Sequence, residues 1–553
     1  MTRLISYFDV MSLLTLGALL PLLSYFLFSS YANALRTKNS TKREEIRSNL
    51  GITKEDGRKL KFVGLFHPYC NAGGGGERVL WAAVAHIQRT EPDMISVVYT
   101  GDTDATKEDI IKKAKSRFDV TLDPETLHFV FLNSRRLVEG STWPYFTLLG
   151  QSLGSMVLGW EAMSKFIPDV FIDTMGYAFT FPIVSLFSVL SLGTFNVPIG
   201  AYVHYPIIHE DMVSRVKSRK QWHTNTGRIA NSEMLSSGKI LYYRFLLYYY
   251  SLSLRRTSFI MVNSSWTQNH VNAILNHSDW TFDLIHLLIP PLGLIKLFLG
   301  YEWFSKKNGD GQPKDAPSGS SSGRREARIV YPPVDPKEMV KFPLEGREKV
   351  ILSLAQFRPE KDHPTQLGAF AKLLKAHPQY RTGKDSVKLV LIGGCRNAED
   401  EARVDALKRL VGELGIEDKV EFILNAPYPD MLRWLSRSSI GLSTMVDEHF
   451  GINVVEFMVS GLITVAHASG GPLKDIILPY KGKRTGYHAT TPESFAEVLH
   501  EALSLSSLST EAEAEAKDED IAIRERARES AMKRFSEEEF VKGWDENGWK
   551  GWF

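Results

Sequence analysis

The longest uninterrupted apolar segment lies at the start of the chain. From Val10 to Leu35 there is no charged residue, and Leu, Phe and Tyr dominate. A run of that length can cross a hydrocarbon core. It exceeds the h-region of a cleaved signal peptide, and no small-residue cleavage site follows it. The pattern therefore predicts a retained membrane anchor, a transmembrane helix, within residues 1–35. Arg36, Lys38, Lys42, Arg43 and Arg47 come after it, against Arg3 before it. That asymmetry predicts a short N-terminus on the far side and a basic juxtamembrane linker, residues 36–60, leading into the cytosol.

Beyond the linker the pattern changes to short apolar runs alternating with helical spacing. Lys61 to His67 reads as a buried strand, followed by a glycine-rich loop and by Glu77 to Ile87, where Val79, Leu80, Ala83, Val84 and Ile87 share one helical face. Ile95–Thr100, Asp169–Asp173 and Val197–His204 read as further strands. Three stretches in this half are unusually apolar or aromatic: Phe181 to Leu192, Leu241 to Leu254 with five tyrosines beside basic residues, and Leu284 to Phe304 broken by Pro290-Pro291. The first is read as domain core or lipid contact, the second as an interfacial segment and the third as re-entrant or interfacial rather than spanning, so that together they suggest a catalytic face laid on a membrane. Residues 305–327 carry Ser, Gly, Lys and Arg without periodicity and read as a disordered insert.

After the insert the alternation restarts. Strand-like runs at Val350–Ser353, Leu389–Gly394, Val420–Ile423, Ile440–Thr444 and Ile463–Ala466 are separated by helical patterns such as Gln366–Leu374. Alternation of this kind means a parallel sheet covered on both faces. The expected architecture is α/β with two Rossmann-like domains, residues 61–304 and 328–530, and a closing helix over 531–553.

Composition narrows the picture only a little. An apolar fraction of 43% and a charged fraction of 24% are those of a globular chain, and a formal charge of +2 gives no nucleic-acid signal. Cys70 and Cys395 are the only cysteines and form neither a metal cluster nor a redox pair.

The candidate chemistry sits after strands, where open parallel sheets bind ligands. In the first half Gly73, Gly74, Gly75 and Gly76 let backbone approach a ligand. Their spacing is neither the dinucleotide fingerprint nor a P-loop, which leaves a ligand-facing loop or a flexible turn. Asp102-Thr103-Asp104 follows the second strand, and a helix-capping turn is preferred there to a metal pair. In the second half Arg358 and Lys361 follow one strand and are placed to meet a diphosphate. Glu448 and Glu456 flank the start of a helix after the strand ending at Thr444, where carboxylates can accept from sugar hydroxyls. Gly470 and Gly471 follow a third and offer backbone N–H groups. Their common position points to a nucleotide-diphosphate site.

These motifs resemble a known group. Two Rossmann-like halves, a glycine-rich first loop and Glu-x7-Glu in the second half are similar to GT-B retaining glycosyltransferases. His67 to Trp81, Tyr202-Val203-His204-Tyr205-Pro206, Val262 to Thr267 and Ala355 to His363 resemble, more closely, the dolichol-linked α-1,2-mannosyltransferases of the endoplasmic reticulum. The resemblance covers nearly everything from Lys61 onward except the insert.

The resemblance implies an enzyme that moves mannose from GDP-mannose, in α-1,2 linkage and twice in succession, onto Man3GlcNAc2-diphosphodolichol. It implies an endoplasmic reticulum membrane location with cytosolic catalytic domains, and other lipid-linked oligosaccharide mannosyltransferases as possible partners. By the same resemblance Lys361 and Arg358 hold the diphosphate, Glu456 the ribose and Glu448 the hexose, with His204 facing the reacting carbon; catalytic roles fall to His204, Glu448 and Lys361. Ala355-Gln356 stands where the wider family has Gly-Arg, and whether Arg358 supplies that cation is not decided by the sequence. Retention by front-face attack uses no metal, no dedicated base and no cofactor. The alternative is a non-catalytic nucleotide-sugar-binding membrane subunit. An NAD-linked dehydrogenase is disfavoured by the loop spacing.

Overall fold

The computed structural model describes residues 7–51, 60–219, 227–300, 326–505 and 511–552. It begins with a long helix, α1 (Tyr7–Asn49), whose C-terminal part is fastened to the first domain. Asn39 Nδ2 donates to the Ile167 carbonyl at 3.1 Å, and Arg43 pairs with Asp169 at 2.9 Å. No helix among the described residues is long and apolar enough to cross a membrane. Residues 1–6 and the side chains of residues 7–22, which carry most of the anchor expected over 1–35, lie outside the described residues, as does most of the insert expected over 305–327.

The first domain is built on a seven-stranded sheet of order β3-β2-β1-β4-β5-β6-β7. Its strands are β1 (Lys61–Phe66), β2 (Met94–Thr100), β3 (Leu127–Phe131), β4 (Val170–Asp173), β5 (Ile199–Val203), β6 (Phe259–Val262) and β7 (Arg328–Ile329). All neighbours pair in parallel; Phe66, for example, lies opposite Tyr99 on one side and Asp173 on the other. Helices α2 (Gly75–Thr90), α3 (Lys107–Phe118), α4 (Thr147–Lys165), α5 (Phe181–Leu190), α6 (Glu210–Lys217), α7 (Gly227–Ala230), α8 (Glu233–Leu254), α9 (Ser265–Leu275), α10 (Trp280–Leu288) and α11 (Pro290–Gly300) surround it. Strands β1, β2, β4, β5 and β6 are buried almost throughout, as a parallel sheet covered on both faces requires.

The three ambiguous stretches resolve differently. Helix α5 is domain core, with Phe181, Val184 and Phe187 buried, and α8, read from the sequence as interfacial, buries Tyr243, Tyr248, Tyr249 and Tyr250 in the same cluster. Helices α10 and α11 instead leave Trp280, Leu284, Leu287, Leu288 and Leu294 exposed. Leu153, Val157 and Trp160 of α4 are exposed as well, and Trp160 packs edge-on against Phe187 of α5.

The second domain has a six-stranded parallel sheet of order β10-β9-β8-β11-β12-β13. The strands are β8 (Glu348–Leu354), β9 (Lys388–Gly393), β10 (Val420–Leu424), β11 (Ser438–Ser443), β12 (Ile463–His467) and β13 (Tyr487–Ala489). Helices α12 (His363–Ala376), α13 (Ala398–Leu414), α14 (Tyr428–Arg437), α15 (Ile452–Ser460), α16 (Pro492–Ser504) and α17 (Glu511–Arg534) cover it, and α18 (Glu537–Glu546) follows. Gly451 at φ +107° and Gly461 at φ +80° bracket α15, left-handed positions where a side chain is strained.

The chain crosses between the domains twice. Residues Arg328–Ile329 pair with β6 and so extend the first sheet, although the pattern restarting there was expected to open the second domain. At the other crossing Ala527 and Ala531 of α17, and Phe535 just after it, pack into the second core, whereas Phe540, Trp544 and Trp549 enter the first. The two crossing segments are joined where Val334 N–H donates to the Phe535 carbonyl at 3.0 Å. The C-terminal run thus packs on both domains because its apolar residues divide between two cores.

Candidate active site

Strand β1 ends at Phe66 and feeds the glycine-rich loop. Gly73 adopts φ +88°, and Gly74 caps α2. Glu77, in the first turn of α2, accepts from Gly74 N–H and lies 3.2 Å from His67 Nε2. His67 Nδ1 in turn lies 2.7 Å from Thr174 Oγ1, just beyond β4. Three elements are pinned by this buried chain. Burial pushes the Glu77 carboxyl up, but His67 and the Gly74 N–H outweigh it and hold the group below its ordinary value. From α3, Lys113 Nζ donates to the Asn71 carbonyl at 2.6 Å and Arg117 Nε to the Gly73 carbonyl at 3.3 Å, bracing the loop from outside.

His204 ends β5. Its backbone carbonyl accepts from Asn263 Nδ2 at 3.0 Å, while its Nε2 is buried with no hydrogen-bond partner. A side chain at Gly76 would begin 3.5 Å from that nitrogen, in ordinary van der Waals contact with it. Burial, reinforced by His67, lowers the His204 pKa to about 4, and the ring is neutral near pH 7. Asp102 accepts from Asn71 N–H and Thr100 Oγ1 and pairs with Arg135, so it serves the local network. The helix after it is capped by Thr106, with no capping bond from Asp102 or Asp104 among the described residues.

In the second domain Lys361 Nζ and Glu448 Oε2 form an ion pair at 2.6 Å, with Met445 Sδ 3.2 Å from the same nitrogen. Both groups are largely buried, 20% and 10% exposed at the side chain. The acidic turn 445–451 is held from two sides. Thr444 Oγ1 donates to the carbonyls of Lys361 and Asp362, and Gly471 N–H donates to the Glu448 carbonyl at 2.8 Å. Gly470 and Gly471 were expected to present N–H groups to a ligand. They instead pack against the turn, where a Cβ on Gly470 would lie 2.2 Å from the Glu448 carbonyl and one on Gly471 2.4 Å from that of Phe450. Their lack of side chains lets the turn settle onto them.

A cavity of about 990 Å³ lies between the domains. Gly73, Gly74, Gly76, Glu77 and His204 line it on one side, and Gln356, Arg358, Arg396, Asn453 and Glu456 on the other. It opens where each sheet reverses its strand order, between β1 and β4 and between β8 and β11, the position at which open parallel sheets bind ligands. Gly75 is outside the lining and meets the other domain directly: a Cβ there would fall 2.5 Å from Ile452 Cδ1. Lys361 and Glu448 are not among the lining residues; Lys361 ends the short turn that starts after Arg358, and Glu448 meets it from the turn after β11.

The electrostatics of the wall favour an anion. Burial and the adjacent Arg396 depress the Arg358 pKa, and Arg358 Nε is buried without a hydrogen-bond partner. Glu360 lies 3.7 Å from Arg358 and Asp400 3.5 Å from Arg396, so part of this charge is already offset, and a phosphate would take the N–H that remains unsatisfied. Burial raises Glu456, against the opposing charges of Arg78 and Arg117. Arg117 reaches across the cleft to within 5.7 Å of the Tyr428 ring.

Lys113, Arg117 and Arg396 were not singled out from the sequence. Arg396 had a usable signal, because it follows β9 and Gly393-Gly394 as Arg358 follows β8. Lys113 and Arg117 lie on an ordinary charged helix and had none.

Comparison with known proteins agrees with this architecture. Residues 60–275 match the family model described as ALG11 mannosyltransferase N-terminus, and residues 334–519 match glycosyl transferases group 1. The chain is 42% identical over 490 residues to the GDP-Man:Man(3)GlcNAc(2)-PP-Dol alpha-1,2-mannosyltransferase of Xenopus laevis, covering 88% of this chain and 87% of that one. It is 40% identical over 498 residues to the human protein of the same name, covering 89% and 88%. Among solved structures, apo OtsA superposes with a TM-score of 0.56 at 12% identity, covering 88% of this chain and 99% of that one. HepE of Anabaena with UDP and glucose gives 0.51 at 13%, covering 88% and 98%. These distant structures share the two-domain GT-B fold. By its sequence relatives, the chain belongs to the family of the GDP-Man:Man(3)GlcNAc(2)-PP-Dol α-1,2-mannosyltransferases.

Proposed function

We propose that this chain transfers mannose from GDP-mannose, with retention and in α-1,2 linkage, to Man3GlcNAc2-diphosphodolichol in two successive additions on the cytosolic face of the endoplasmic reticulum membrane. The supporting observation is the anion-seeking wall of the cavity, Arg358 with its unpartnered Nε beside Arg396, facing the glycine loop and His204 of the other domain.

In this reading Arg358 and Lys361 bind the donor diphosphate, and Lys361 divides its N–H groups between phosphate oxygen and Glu448. Glu456 accepts from the ribose and Glu448 from the hexose. Gly73 to Gly76 lie under the diphosphate and sugar. His204, neutral and with its Nε2 unpartnered, faces the reacting carbon and accepts from a sugar hydroxyl. The bond from the anomeric carbon to the β-phosphate oxygen breaks with its electron pair passing to the phosphate. The acceptor hydroxyl oxygen then bonds to that carbon on the same face and its proton passes to the departing phosphate. The cations stabilise charge on the leaving group as it develops.

The acceptor is lipid-linked, and α4 suits its approach. Gln151, Ser152 and Ser155 line the cavity, while Leu153, Val157 and Trp160 of the same helix are exposed. With α10, α11 and the N-terminal helix, that apolar side rests on the bilayer and leaves the polar end of the acceptor at the cavity. Detergent-solubilised full chain, radiolabelled GDP-mannose and synthetic trimannosyl lipid-linked acceptor test the reading. The label should enter lipid-linked product and be released by an α-1,2-specific mannosidase; label released by another linkage specificity, or none transferred, refutes it.

A further inference from the structure

One cluster of side chains takes no part in the site described above. His209 and Asp211 stand at the start of α6, and His270 projects from α9. One donor atom from each lies within 4.8 Å of the others. His270 Nε2 is 2.9 Å from Asp211 Oδ2, and His209 Nδ1 is 3.9 Å from the same oxygen.

The hydrogen bonds around these rings leave lone pairs where a cation would sit. His270 Nδ1 is 2.8 Å from the Trp266 carbonyl, which can only accept, so that nitrogen carries a proton. Nε2 then faces the carboxylate oxygen at 2.9 Å, a position that a proton or a metal cation between the two can fill. His209 is 2% exposed and its Nδ1 is buried with no hydrogen-bond partner, while its Nε2 lies 3.0 Å from the Tyr205 hydroxyl. Both histidines thus have the outer hydrogen bond that metal-ligating imidazoles use to fix their tautomer.

We infer that His209 Nδ1, Asp211 Oδ2 and His270 Nε2 form a binding site for a divalent transition-metal ion, with zinc the best chemical match. Two imidazoles and one carboxylate are a zinc ligand set, and a water completes the tetrahedron through the half-exposed side of Asp211. Donor atoms around tetrahedral zinc are spaced by about 3.3 Å at ordinary bond lengths, so the cluster closes with small side-chain movements.

The ion would brace α6 against α9 at the surface where the domains meet. The Trp266 ring stacks on His270 at 3.9 Å, Tyr205 lies 3.9 Å from His449 of the second domain, and Arg215 of α6 pairs with Asp447 at 2.6 Å. Asp447 adjoins Glu448, so the clip would hold the platform on which the acidic turn docks. The inference concerns metal binding alone and does not rest on the transfer reaction.

The test uses full-length chain in detergent, purified through a tag without histidine. Zinc content is measured after dialysis against buffered free zinc, together with the absorption spectrum of the cobalt(II) form and the unfolding temperature against zinc concentration. His209 is buried, so the half-exposed partners carry the mutational arm, as Asp211→Asn and His270→Gln. The expected result is about one zinc per chain, an intense tetrahedral cobalt spectrum, a midpoint that rises with zinc, and affinity at least about tenfold weaker in both variants. Absence of saturable zinc binding by the unsubstituted chain overturns the inference; it would mean that a proton bridges His270 and Asp211. Unchanged affinity in both variants also overturns it, placing any bound metal elsewhere.

Discussion

Lys361→Ala separates two consequences of one ion pair. Lys361 Nζ sits 2.6 Å from Glu448 Oε2 with both side chains mostly covered. Removing the lysine leaves a buried carboxylate without its cation, a change that costs about 3 kcal/mol when the pair is well desolvated. For domains of about 150–250 residues that is a fall of roughly 6–12 °C in the unfolding midpoint. The same substitution deletes a cation proposed to meet the leaving diphosphate, and loss of one such electrostatic contact lowers kcat by about 10²–10³. The double variant Lys361→Ala/Glu448→Gln replaces the stranded charge with a neutral amide, so most of the lost stability should return while activity stays low. Thermal unfolding and initial rates with radiolabelled GDP-mannose, corrected for the folded fraction, read the two effects separately. If Lys361→Ala kept kcat within a few-fold of the parent while losing stability, the lysine would be a structural partner of Glu448 only, and the assignment would fail.

Other outcomes follow from particular contacts. Asp475 is fully buried and accepts from Ser265 N–H and Oγ across the domain boundary and from the Tyr331 hydroxyl. Asp475→Ala strands these donors at about 3 kcal/mol and should split one calorimetric transition into two. Gly471→Ala places a Cβ 2.4 Å from the Phe450 carbonyl and should weaken GDP binding measured by calorimetry. The control Gly482→Ala, with nothing within 4 Å, should cost only about 1 kcal/mol of backbone strain and leave GDP affinity unchanged. Burial lowers His204 and His363 to about 4 and His209 and His449 to about 3. Since these folded values lie below the ordinary value of about 6.5, the unfolded chain binds more protons between them, and stability rises with pH over that window. Midpoints measured from pH 7 to pH 5 should therefore fall, less steeply in His363→Gln.

The alternation of apolar runs with helical spacing determined that two parallel sheets would form, because each strand buried on both faces must be continuously apolar. The same local logic located the glycine loop, Arg358 and Glu456, since residues just past strand ends are carried to the ligand side of such a sheet. Local pattern could not decide whether an apolar helix faces core or lipid. Phe181–Leu190 became core and Trp280–Leu288 kept an exposed apolar face, a difference set by what packs on each. Nor could it decide how backbone donors are used. Gly471 follows a strand as a ligand-binding glycine would, yet its N–H is taken by the Glu448 carbonyl from a neighbouring loop.

Sequence by itself thus determined the class of fold through periodicity and the family through the resemblance of its motifs, and position after a strand picked out Gly73, Gly74, Gly76, His204 and Arg358 among the residues that line the cleft. Tertiary structure alone decided the partners. It joined Lys361 to Glu448, brought Arg117 from an unremarked helix to the cleft, and set His209 and Asp211 beside His270. Such pairings join segments far apart along the chain, and only packing brings their atoms within a few ångströms.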